Sequence, residues 1–333
     1  MKFGVIGGGL AGTALALRLK SLEQEVVLFD LPKENTASRV AAGVLNPVVL
    51  KRMNSVWKGE YFYSKSVRFY KDQEKFLGVK FYYDLPIFRR FSSLAERNDW
   101  EGLIHSAWFG KGLQASQSKP IEGLKGEHGG GWFALSGKLD VKAYLNAVHE
   151  YFKQEGCFHE ERVELDQVDG YTKVKGIDHW IFAVGNKFDQ EGHPELKGLH
   201  KTKGEYLSVR SGHVWPGMVN AGHFLIPEEN GGFKLGATYA WNEEDLEPNP
   251  ARIQKLESFL KSELTVSSKV EGVISGFRPS TKNRRPIMGG AKNRWFLNGL
   301  GSRGVLMAPG LAENLVNHIL YKDPLFPEVK MEV

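Results

Sequence analysis

The stretch Val5-Ile6-Gly7-Gly8-Gly9-Leu10-Ala11-Gly12 decides how the rest of this chain is read. Lys2 to Ile6, which lead into it, read as a buried strand, and Leu10 to Leu22 read as a helix. Between them Gly7, Gly9 and Gly12 stand at the G-x-G-x-x-G spacing. Gly7 permits a tight turn, Gly9 lets the backbone approach a pyrophosphate with no side chain in the way, and Gly12 lets helix and strand pack closely. The helix N-terminus favours the phosphate charge, and Leu10 and Ala11 join the glycines as candidate cofactor contacts. Glu25 to Phe29 form a second strand that ends at Asp30, where a carboxylate can accept hydrogen bonds from the hydroxyls of an adenosine ribose. No basic residue immediately follows Asp30, which disfavours a ribose 2′-phosphate. An adenine dinucleotide follows; on these residues FAD and NAD both fit.

Composition sets the frame. A chain of 333 residues exceeds what one compact core ordinarily holds, so two domains are expected. The net charge of +5, from 44 basic against 39 acidic residues, permits an anionic substrate or RNA and requires neither. Cys157 is the sole cysteine, which excludes an intramolecular disulfide and a thiolate zinc cluster and fits a cytoplasmic location. None of the ten histidines stands at a metal-ligand spacing, so no metal is assigned. The apolar start is broken by glycines and no other run suits a bilayer, so neither a signal peptide nor a membrane partner is expected, and nothing points to DNA. Oligomeric state has no signature in the sequence.

Farther along, an aromatic and basic helical stretch spans Trp57 to Leu77, followed by short strands between Phe81 and Phe133. Asp140 caps a helix from Val141 to Gln154, ended by Gly156. Strands follow near Cys157 to Glu164 and at His179 to Val184. Strands and turns then alternate from Tyr206 to Tyr239, with Glu229-Asn230-Gly231-Gly232 as a hairpin signal, and Pro250 to Leu264 form a helix. The last strand, Arg294 to Asn298, feeds a glycine loop and a helix from Leu311 to Tyr321.

That loop repeats the glycine spacing at Gly299, Gly301 and Gly304. A second dinucleotide site is rejected, because Pro324, Pro327 and the chain end leave no second strand with a ribose-binding acid. The loop instead suits a flavin pyrimidine edge, where amides of Gly301, Ser302, Arg303, Gly304 and Val305 and a helix N-terminus meet the negative charge of reduction.

Five segments now resemble a known family, the D-amino-acid-oxidase-like flavoproteins: V-I-G-G-G-L-A-G; S-R-V-A-A-G-V-L-N-P from Ser38 to Pro47; I-F-A-V-G ending at Gly185; G-F-R-P-S-T-K-N-R-R-P-I-M-G from Gly276 to Gly289; and G-L-G-S-R-G-V-L-M-A-P. The resemblance implies a Rossmann-type FAD-binding domain interleaved with a mixed, largely antiparallel β-sheet substrate domain, an α/β fold overall. Residues 1–50, 135–205 and 290–333 would form the first, and 51–134 and 206–289 the second. It also implies that Ser38, Ala41, Ala42 and Gly43 touch the flavin, that Val163 backs the adenine, and that Gly185 lies near the cofactor. FAD would be non-covalent, since Cys157 lies far in sequence from where some relatives attach it.

Members of this family oxidise a carbon–nitrogen bond of a small amine or amino acid by hydride transfer to flavin N5, and the imine is then hydrolysed. Arg278 matches their substrate-carboxylate arginine, a role suited to a guanidinium fork that holds both oxygens. Phe224 stands where several relatives place a tyrosine, and Phe224, Tyr239 and Trp241 are candidate pocket residues. Asn283 replaces a common acid, and Lys282, Arg284 and Arg285 make that loop basic. With Lys51, Arg52, Lys58, Arg89 and Arg90 on one face, it would suit phosphates, and the L-G-S-R-G ending is similar to the flavin domain of a bifunctional tRNA wobble-uridine enzyme. That relative implies a second substrate class, a carboxymethylaminomethyl side chain on tRNA. A flavin-binding protein without turnover is the alternative of another class.

Overall fold

The computed structural model describes residues 1–164, 167–187, 198–229, 231–241 and 243–330. One sheet has the strand order Phe158–His159, Glu25–Phe29, Lys2–Ile6, His179–Phe182, Arg294–Asn298, Ile287–Ala291. The first five strands run parallel and the sixth returns antiparallel to the fifth. Helices Leu10–Lys20, Val141–Gln154 and Gly304–Tyr321 bury one face around Phe3, Val5 and Ile181, while Val168–Lys175 covers Phe29, Trp180 and Phe182 on the other. Apolar side chains on both faces of a parallel strand require this double cover. The chain therefore has the expected mixed α/β fold.

The second sheet runs Ala240–Trp241, Leu199–Ser211, Gly232–Gly236, Phe224–Pro227, Met218–Asn220, Ile87–Arg90, Gly130–Phe133, with Ser268–Thr281 also paired to Leu199–Ser211. Its pairs are antiparallel except where Met218–Asn220 lies beside Ile87–Arg90. Helix Pro250–Glu263 closes its core through Leu256 and Leu260. Leu199–Ser211 is one continuous strand across position 205/206, and Ile287–Ala291 one across 289/290, so strands straddle two of the four expected domain boundaries. The hairpin from Phe224–Pro227 to Gly232–Gly236 forms as read, although Asn230 lies outside the described residues.

Local chemistry explains where the sequence reading holds and where it moves. Val141–Gln154 has the anticipated bounds because Asp140 accepts the Ala143 amide at 2.9 Å and Gly156 takes a positive φ of 68°. The last helix begins at Gly304, seven residues before Leu311, and carries Pro309 inside it. Proline at that position removes the amide that would bond the Val305 carbonyl. Tyr70 supplies the missing donor: its hydroxyl reaches that carbonyl at 2.9 Å, and the Ser66 hydroxyl reaches the Leu306 carbonyl at 2.6 Å. Helix Leu94–Leu103 lies within the region read as strands and turns; Ser93 caps it by accepting the Glu96 amide at 3.2 Å.

Candidate functional site

A cleft lined by both sheets passes the carboxyl ends of strands Lys2–Ile6 and Glu25–Phe29, where the glycine turn stands. Gly7 has φ 101°, and a Cβ there would lie 2.4 Å from the Ala183 carbonyl oxygen, so the turn admits only glycine. Gly12 lines no part of the cleft; it packs beneath the turn, where a Cβ would come 1.7 Å from the Gly7 oxygen. Helix Leu10–Lys20 starts at the turn without a side-chain cap from Gly9, and Ser38 Oγ accepts the Leu10 amide at 3.1 Å. The remaining first-turn amides have no acceptor within the helix, which suits a phosphate. Asp30 lies at the same end, with Val163 fully buried beside it in the lining.

Farther along, the cleft is bounded by Ala41, Ala42, Gly43, Gly185, Gly301, Ser302, Gly304 and Val305. The second helix N-terminus is therefore closer than the sequence reading had it, since Gly304 itself begins the helix. Two helix N-termini thus face one cleft, an arrangement that favours negative charge at both places. Arg303 is the exception within this loop. Its guanidinium does not line the cleft but donates to the Asn46 carbonyl, tying the loop to the segment after Gly43. Burial, followed by the like charge of Arg284, pushes Arg303 down to about 10.

Arg278 lines the wall contributed by the second sheet, opposite no carboxylate within ion-pair reach among the described residues. Strand pairing sets Thr202 beside Arg278 and Gly204 beside Gly276. The guanidinium lies across Gly204, where a Cβ would sit 2.0 Å from Nη2, and Nη1 points to the Thr238 carbonyl at 3.5 Å. The Tyr239 ring lies 5.8 Å from Cζ. Tyr239 and Trp241 stand on the rim, 44% and 41% exposed, and Phe224 packs toward the neighbouring core, so none of the three lines the cleft.

Sequence reasoning missed His149. This buried residue lines the cleft and its Nε2 lies 2.8 Å from the Gly8 carbonyl oxygen, so the neutral ring donates there. Burial lowers its basicity against the raising effects of that bond and of Asp30. Gly204 and Tyr206 were also missed, because only the long strand pairing carries them to the site. Two expected members of the basic face belong elsewhere: Arg89 is buried in a 2.6 Å ion pair with Glu96, and Arg90 pairs with Glu263 at 2.8 Å. Lys51, Arg52, Lys58, Lys282 and Arg284 are exposed, and Arg285 stacks over Trp57 at 5.0 Å. Cys157 is not part of the cleft lining, and no group of three metal-ligating side chains occurs among the described residues.

Comparison with known proteins gives this geometry its family. The bifunctional 5-methylaminomethyl-2-thiouridine tRNA biosynthesis protein of Marinobacter nauticus is 24% identical over 95% of this chain, which spans 55% of that protein. Iminodiacetate oxidase from Chelativorans sp. BNC1 superimposes with a TM-score of 0.78 at 18% identity, covering 99% of this chain and 100% of the other. Glycine oxidase from Geobacillus kaustophilus gives 0.74 at 17%, covering 99% and 98%. A model of the FAD dependent oxidoreductase family matches residues 2–318, and the chain belongs to that family.

Proposed function

We propose that this FAD-dependent oxidoreductase oxidises the carbon–nitrogen bond of a small amine bearing a carboxylate, releasing an imine that water hydrolyses. Bound FAD supplies the hydride acceptor. The glycine turn and Leu10 helix end would hold its diphosphate, Asp30 its ribose, and the Gly301–Val305 amides its pyrimidine edge. Arg278 carries the reading. It is a half-buried guanidinium in the cleft wall with no acid to neutralise it among the described residues, so a substrate carboxylate completes its pairing and directs the adjacent C–H along the cleft. The solved relatives named for iminodiacetate and glycine act on compounds that place a carboxylate one carbon from nitrogen, which supports the same class here.

Replacing Arg278 with alanine removes a charge-assisted pairing worth about 1.5–3 kcal/mol, so kcat/KM for carboxylated amines should fall by about tenfold to about 150-fold. An amine lacking the carboxylate should lose less than about threefold. Equal losses for both would take the anchor role from Arg278.

A second reading is a modified tRNA whose wobble uridine carries the same carboxylated amine. The exposed Lys51, Arg52, Lys58, Lys282 and Arg284 favour it, together with the Arg285–Trp57 stack. Under that reading carboxymethylaminomethyl-modified tRNA bleaches the flavin and free amino acids do not.

A further inference from the structure

Among the described residues Arg278 has no acid partner, although a fully buried carboxylate, Glu205, lies on the strand that runs beneath it. That carboxylate is committed elsewhere. Arg252 meets it through Nε at 2.7 Å and Nη2 at 3.1 Å, and the Asn249 amide adds a third bond at 2.8 Å. Burial would raise the Glu205 pKa, and these bonds outweigh it, keeping the group ionised. The third partner is Thr238, whose hydroxyl donates to Glu205 Oε2 at 2.7 Å and accepts the Glu205 amide at 2.9 Å. The Thr238 amide in turn bonds the Glu205 carbonyl at 3.0 Å. Amide and hydroxyl are thus both spent on Glu205, which leaves the Thr238 carbonyl turned to Arg278.

We propose that Thr238 and Glu205 are positioning residues for the substrate anchor: Glu205, neutralised by Arg252, fixes Thr238, and the Thr238 carbonyl sets the direction in which Arg278 presents its fork. The physical content is a division of labour. Arg252, which also pairs with Glu243 at 2.8 Å, occupies the Glu205 carboxylate that would otherwise compete for Arg278, while a neutral carbonyl orients Arg278 without satisfying it. Nothing in this arrangement touches the reacting atoms, so it acts on substrate affinity and alignment. The proposal rests on Arg278 as the carboxylate anchor.

Thr238→Val tests it, because valine keeps the shape and removes both hydroxyl bonds, and Thr238→Ser restores them. The substrate is the amine that bleaches the flavin fastest among glycine, sarcosine, iminodiacetate and proline, with acetate as a competitor. For Thr238→Val, the KM and the acetate inhibition constant should both rise about tenfold while kcat and FAD content stay within about threefold, and Thr238→Ser should return both constants to near wild type. Unchanged constants in Thr238→Val, or a serine variant as impaired as the valine one, would overturn the proposal. Arg278→Ala measured alongside separates the two ideas. If it too leaves the acetate constant unchanged, the anchor reading itself fails. If it alone weakens acetate, only the positioning role falls.

Discussion

His149 shows how a single side chain ties the cleft to stability. Its ring donates to Gly8, stacks near Phe158 and sits beside Asp30, and burial keeps it neutral. The folded value lies below the ordinary 6.5, so the unfolded chain takes up the proton first as pH falls. The stabilisation is therefore complete above 6.5 and is lost progressively as pH drops from there through the folded value. His159, His179 and His223 shift the same way and add to the trend. His149→Gln keeps a donor but does not titrate, so its Tm should fall less than wild type between about pH 7.5 and 5.5. Parallel Tm curves would remove His149 from the account. Asp30 and the glycines were readable because their spacing is local. His149 was not, since helix Val141–Gln154 meets Gly8 only through tertiary packing.

At the scale of elements, the helix Gly304–Tyr321 is the instructive case. Pro309 made its first turns unreadable from sequence, because an interior proline ordinarily ends a helix. Tyr70, far away in the chain, removes the objection by bonding the Val305 carbonyl, and so lets the helix start at the cleft. Tyr70→Phe should cost about 1–3 kcal/mol by leaving that buried carbonyl unpaired. Pro309→Ala returns a backbone amide to it, so the double variant should recover most of the loss in a denaturant-melt cycle. Strictly additive losses would show that Tyr70 acts by packing alone. The helix Leu94–Leu103 was missed for a different reason. Ser93 and Glu96 carry the spacing of a capping box, and the surrounding strand and turn signals hid it.

For the whole molecule, the two-sheet architecture and the glycine-lined cleft followed from segments whose order the sequence displayed. The cleft wall that carries Arg278 depended on the register between Leu199–Ser211 and Ser268–Thr281, which sets Arg278 across Gly204 and within reach of Thr238. Register between strands so far apart has no local signature, so Arg278 was recognisable as a candidate anchor while the residues packed around it were not. The central claim is that electrons enter from a carboxylated amine held by Arg278. Anaerobic mixing of the FAD-loaded protein with glycine, sarcosine, iminodiacetate or proline, followed by the flavin absorbance band, tests it most directly. The account predicts that at least one of these amines bleaches the band, and that Arg278→Ala at the same concentration leaves it largely oxidised. A band that stays oxidised with every one of them, or that bleaches equally in Arg278→Ala, would contradict it.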